Sequence, residues 1–190
     1  MDLLLLSPAE LHSDPISQFA AWLAAASRAG GGQPLAASLA TAGSDGRPLA
    51  RMVLLKFFDP RGFVFFTHLG SRKARQMAEN PWVSLLFPWL AQDRQVNVTG
   101  RADRLDAVEA VRCFQLGQGG GVTALAAVEM PLAELQQRLG VGVPPTDAVW
   151  AGYRIVPDSV ELYQGHGGRE HQRFLYTRDP VGGWRIDTLE

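Results

Sequence analysis

Apolar and polar positions along this chain fall into short runs that switch between the period of a helix and that of a strand. Phe19, Trp22 and Leu23 recur at helical spacing behind Asp14-Pro15, so residues 15–28 read as an amphipathic helix. Asp14 takes its N-cap and Pro15 its first position, where a missing N–H costs nothing. The glycines at 30–32 end it. Small, β-compatible residues over 35–41 predict a first strand, and Ser44-Asp45-Gly46-Arg47-Pro48 a hairpin turn after it. Residues 51–56, RMVLLK, are mostly apolar with a cation at each end, and residues 62–67 are aromatic and β-branched, as a packed strand requires. Between them Asp59-Pro60-Arg61-Gly62 has turn chemistry, since Pro presets φ and Gly accepts positive φ. A helix capped by Ser71 runs to about residue 79 and stops at Asn80-Pro81.

The second half continues the alternation. Residues 83–89 form a near-continuous apolar strand. Over 95–104, Val96 and Val98 fall on one face and Gln95, Asn97 and Thr99 on the other. Asp106 caps a further helix with Glu109 at its third position and Val108 and Val111 turned inward, and the glycine-rich run 117–121 breaks it. Residues 124–139 suit one or two short helices, Pro144-Pro145 a loop, and 149–156, 160–164, 173–177 and 184–186 the last strands. Residues 1–13 are expected to be a flexible N-terminal arm and 14–190 a single domain. The fold class expected is mainly β with flanking helices (α+β), a barrel-like sheet of antiparallel strands.

Composition narrows the function. At 190 residues the chain can bury a full core. A net charge of −1 lacks the basic excess of nucleic-acid and membrane-surface proteins, so neither partner is expected. No apolar run is long enough to span a bilayer, and the opening MDLLLL lacks the basic start of a signal peptide. The single Cys113 excludes an internal disulfide, and with no HxxxH or HExxH pattern no metal site is expected. A reducing, cytoplasmic setting is expected.

Charge is concentrated locally. Arg51, Lys56, Arg72 and Lys73 edge one β-unit, two of them beside a helix N-terminus that favours an anion. They read as a phosphate cradle, and equally as the surface charges of a solvated hairpin. In GHGGREHQRF (165–174), a strand would place Arg169, His171 and Arg173 on one face, where they need an anionic or polar partner or water. His12 and His68 read as surface residues. The glycine runs at 30–32 and 117–121 lack the strand–turn–helix context of a nucleotide loop.

The blocks RMVLLK at 51–56, FVFFTHLGSRKARQ at 63–76, NPWVSLLFPW at 80–89, RQVNVTGRADRL at 94–105 and REHQRFLY at 169–176 stand in an order that closely resembles the pyridoxine/pyridoxamine 5′-phosphate oxidase family. That resemblance implies a split β-barrel working as a homodimer with FMN between the subunits. Under it, Arg51, Met52, Val53 and Leu54 line the flavin and its phosphate tail, Phe66 and Thr67 contact FMN, and Ser71, Arg72 and Lys73 hold its phosphate. Gln95 meets the flavin edge, Tyr163 stands where the family usually has Trp, and Arg173 is a further FMN contact. Lys56, Arg169 and His171 hold the substrate, with Arg169 and His171 nearest the chemistry. The implied reaction is hydride transfer from an amine- or alcohol-bearing carbon of pyridoxine or pyridoxamine phosphate, or of a related ring compound, to flavin N5. O2 then reoxidises the flavin and gives H2O2.

Three departures bear on the substrate. Cys113, Gly117 and Gly121 stand where the family draws a Tyr, an Arg and a Ser for the substrate phosphate, leaving Lys56 alone. The stretch 117–150 is short and lacks a Gln-Ser pair, and no basic residue precedes Arg28. A related flavin oxidase or reductase acting on a non-phosphorylated ring, as in phenazine pathways, and a non-catalytic flavin-binding protein are the alternatives.

Overall fold

The computed structural model describes residues 8–30, 32–116, 150–165 and 171–189. Its strands are β1 (Ala36–Ala42), β2 (Pro48–Asp59), β3 (Gly62–His68), β4 (Trp82–Trp89), β5 (Arg94–Arg104), β6 (Trp150–Gly165), β7 (His171–Arg178) and β8 (Trp184–Leu189). They pair in the order β3-β2-β1-β4-β5-β6-β7-β8, and β3 also pairs with β6. That extra pairing closes the first six positions into an antiparallel barrel and leaves β7 and β8 as a flap beyond it. Helices α1 (Pro15–Ala29), α2 (Arg72–Glu79) and α3 (Ala107–Leu116) pack outside or across its ends. Among the described residues no helix is long and apolar enough to cross a membrane.

Alternation fills the barrel. Phe63, Phe65, Leu85, Phe87, Val96, Val98 and Ile155 point inward and are at most 1% exposed. Phe19 of α1 is fully buried, with ring centroids 5.1, 4.9 and 4.8 Å from Phe58, Phe63 and Phe87, all edge-on. The cap reads as expected: Asp14 Oδ2 accepts from the Ser17 amide at 2.9 Å. Residues 8–13, assigned to a loose arm by sequence, include a 3-10 turn over Pro8–Glu10 and a buried Leu11. Tyr176 donates its hydroxyl to the His12 carbonyl at 2.8 Å.

Two expectations need correction. The two strands expected over 149–156 and 160–164 are, from Trp150 on, one strand, β6, because a register shift opposite Thr99 and Gly100 absorbs Pro157 and leaves Asp158 outside the ladder. Gly100 permits the close approach: a Cβ there would stand 2.1 Å from the Val156 carbonyl oxygen. Second, Val108 is 57% exposed rather than inward. Glu109 faces Arg61 and Arg154, and on this side of the helix Ala110 and Val111 line a hollow beside β2 while Val108 lies outside. The helices expected over 124–139 and the loop at Pro144-Pro145 lie outside the described residues.

Candidate active site

The cations of the cradle converge where β3 hands over to α2. The chain turns after His68, whose carbonyl accepts from the Ser71 amide at 3.0 Å, and the Ser71 hydroxyl then accepts from Ala74 N at 3.3 Å to cap α2. This puts Ser71, Arg72 and Lys73 beside Thr67. Lys73 Nζ donates to Thr67 Oγ1 at 3.1 Å, and Thr67 Oγ1 lies 3.3 Å from Ser71 Oγ. Arg51 arrives from β2 and donates to Thr41 Oγ1 at 2.6 Å, the Leu39 carbonyl at 3.2 Å and Gln76 Oε1 at 3.3 Å. Burial, then Arg72, lowers the Arg51 pKa, and burial, then Arg51, lowers that of Lys73. Among the described residues no carboxylate pairs with any of the three. Like charges held together by neutral acceptors leave the corner short of an anion.

An apolar hollow of about 690 Å³ adjoins the corner on both strands. Met52 (60% exposed) and Leu54 (49%) line it from β2 with Val53, and Phe66 lines it from β3. Lys56 reaches it from a bulge between Leu55 and Phe57. Gly152 leaves the floor bare, for a Cβ there would meet Leu105 Cδ1 at 2.8 Å and the Phe66 ring at 3.1 Å. The far wall is α3, through Ala107, Ala110, Val111 and Phe114, whose ring sits edge-on to Phe66 at 5.3 Å. Lys56 and Arg104 are the charged residues among the described lining.

Gln95, Tyr163 and Arg173 form a separate cluster, in register across β5, β6 and β7. The His171 ring stacks on Tyr163 at 5.5 Å, and Arg173 pairs with Glu161 at 2.7 Å. Strands β2 and β5 are three steps apart in either direction around the six-strand ring, hence on opposite walls. Gln95 alternates with the buried Val96 and so faces outward, away from Met52 and Leu54. Within one chain these two sets cannot touch one small ligand. Arg169, with His166, Gly117 and Gly121, lies outside the described residues.

One cluster escaped the sequence reading. Asp59, fully buried, accepts from Arg154 Nη1 at 2.5 Å and Arg61 Nη2 at 2.7 Å. Glu109 Oε1 accepts from both arginines at 2.9 Å. Cys113 does not line the hollow; its Sγ lies 3.8 Å from Arg154 Nη2, and burial pushes the thiol up to about 11. Asp59 carried only a turn signal, and nothing local ties it to a residue ninety-five positions later.

Comparison with known proteins decides the family. Residues 17–136 match the family model for pyridoxamine 5′-phosphate oxidase, and residues 150–190 that for the pyridoxine 5′-phosphate oxidase C-terminal dimerisation region. The chain belongs to the pyridoxamine 5′-phosphate oxidase family. It is 42% identical to the pyridoxine/pyridoxamine 5′-phosphate oxidase of Serratia proteamaculans over 192 residues, covering 95% of this chain and 88% of that protein. The Salmonella paratyphi B enzyme of the same name matches to the same extent. Among solved structures, PhzG from Burkholderia lata, in complex with tetrahydrophenazine-1-carboxylic acid, is similar over the full length of both chains, with a TM-score of 0.74 and 30% identity. This family member is therefore an oxidoreductase with the split-barrel fold expected from its sequence.

Proposed function

We propose that the protein is an FMN-dependent oxidase of the pyridoxine/pyridoxamine 5′-phosphate oxidase type, active as a homodimer. The observation that carries the cofactor is the anion-deficient corner: Arg51 is repelled by Arg72 and Lys73 by Arg51, and the acceptors that Arg51 and Lys73 reach among the described residues are neutral. A phosphate monoester suits it, since a guanidinium offers several fixed donors to its oxygens. Ser71 and Thr67 add hydroxyls at the same place. Met52, Val53, Leu54 and Phe66 then offer apolar surface to the isoalloxazine ring. When bound, FMN supplies the hydride acceptor and the route to O2.

The opposed positions of Gln95 and Met52 support a site shared by two copies. One copy gives the phosphate corner and apolar strand, and the other gives Gln95 from β5 with Tyr163 and Arg173 from its dimerisation region. Lys56, Arg169 and His171 then hold and orient the substrate so that its amine- or alcohol-bearing carbon faces the flavin, and orientation supplies most of the acceleration. Pyridoxamine or pyridoxine 5′-phosphate is the first reading of the substrate: the alcohol gives an aldehyde and H2O2, and the amine gives the same products plus ammonia once water hydrolyses the imine. The enzyme works in the cytoplasm on this reading.

One observation favours a second reading. The α3 wall is apolar, and Cys113 turns to Arg154 instead of the hollow. A phosphate here has Lys56 and Arg104 alone among the described lining residues, which also suits a non-phosphorylated ring acid like that bound by PhzG. Anaerobic mixing of the yellow protein with pyridoxamine 5′-phosphate, pyridoxamine and aromatic ring acids separates them. Bleaching by the phosphorylated vitamer supports the first reading; bleaching only by ring acids replaces it with the second. No bleaching by any of them refutes both oxidase readings.

A further inference from the structure

The lattice of Asp59, Arg154, Glu109 and Arg61 takes no part in the sites above, yet it borders one of them. It holds two guanidinium groups and two carboxylates, so its charges balance internally. The side chains of Asp59 and Arg154 are 0% and 6% exposed, and Arg154 Nε is buried without a partner. Helix α3 presents two stripes. Glu109 and Cys113, one turn apart, face this lattice. Ala107, Ala110, Val111 and Phe114 face the hollow. A rotation or slide of α3 moves both stripes together. Beneath the helix lies a small apolar cluster of Phe57, Val64, Leu105 and Cys113, with Phe66, Ala110 and Leu116 packed against it, and such contacts are not directional. The ion pairs at Glu109 are directional.

We propose that Glu109 is a positioning residue: its bonds to Arg61 and Arg154 fix the rotation of α3, and with it the substrate-side wall of the hollow, without holding FMN. The substrate part of this claim rests on the function proposed above; the part about α3 does not. Cys113 gives a direct reporter, being the chain's single cysteine and buried on the same stripe. The test compares FMN-loaded, full-length wild type with Glu109→Ala and Glu109→Gln. Asp187→Asn, which breaks an exposed pair with Arg185, is the control. Three quantities are read: native alkylation of Cys113 by iodoacetamide, taken per thiolate from its pH dependence because the Glu109 charge also raises that thiol's pKa, the FMN dissociation constant, and KM and kcat for pyridoxamine 5′-phosphate.

Loss of a charged bond that holds a local segment shut should speed Cys113 alkylation by roughly ten- to a hundred-fold in Glu109→Ala. Glu109→Gln, which keeps an acceptor, should fall between that and wild type. KM should rise by more than kcat falls, FMN affinity should stay within about twofold of wild type, and Asp187→Asn should change nothing. Wild-type alkylation and KM in Glu109→Ala would overturn the proposal, as would FMN affinity falling in step with KM. If Glu109→Ala does not fold, the alkylation rate of Glu109→Gln decides. If no form oxidises pyridoxamine 5′-phosphate, the first substrate reading fails separately, and the alkylation ratio still settles whether Glu109 sets α3.

Discussion

Replacing Arg72 by Ala separates cofactor binding from stability. Arg72 is exposed, and among the described residues it makes no hydrogen bond or ion pair. It does act on Arg51, whose pKa it helps to lower, so removing it relieves repulsion in the empty corner. Apo stability should therefore stay within about 0.5 kcal/mol of wild type or rise slightly. Binding is another matter. A hydrogen bond to a charged group contributes about 1.5–3 kcal/mol, so FMN should bind roughly 10- to 150-fold more weakly. Riboflavin, which lacks the phosphate, should bind both proteins equally. Quenching of flavin fluorescence measures all four affinities, and urea unfolding of the apo forms measures stability. An equal loss for FMN and riboflavin would mean that Arg72 meets the ring and that the corner has been misread.

Other consequences follow from the same geometry. Phosphate binding favours charged Lys73, whose pKa is held below the ordinary range by burial and Arg51. FMN affinity should thus fall as pH rises, starting below the usual lysine value of about 10.4, and Lys73→Met should abolish that alkaline decline in a fluorescence titration across pH. Phe19→Ala empties the space between Phe58, Phe63 and Phe87 and should cost about 3–5 kcal/mol in denaturant unfolding, with the slope unchanged. Gly100→Ala drives a Cβ into the Val156 carbonyl and should cost more than about 1 kcal/mol, where the same change at the open Gly32 should not.

What could be read from sequence was what depends on near neighbours. Alternation at Val96 and Val98, the Asp14 and Ser71 caps and the turn at Asp59 to Gly62 are local, and each stands where the pattern put it. The cradle of Arg51, Arg72 and Lys73 was legible because one short hairpin and one helix start bring it together. Long-range pairings were not. The strand that absorbs Pro157 depends on Gly100 of its neighbour, and the side of α3 away from the exposed Val108 meets Arg154, which reaches Glu109 from forty-five residues away. The opposed placement of Gln95 and Met52 follows only from barrel closure, which a linear pattern does not display.

The central claim is a flavin phosphate seated in the corner of one copy while a second copy supplies the opposite side of the ring. A crystal structure of the FMN-loaded protein tests it most directly. The account predicts one FMN per chain, with phosphate oxygens within hydrogen-bond distance of Arg51, Arg72 and Lys73 and Gln95 of the second copy at the ring edge. A flavin bound wholly within one chain, or a phosphate held anywhere but that corner, would contradict it.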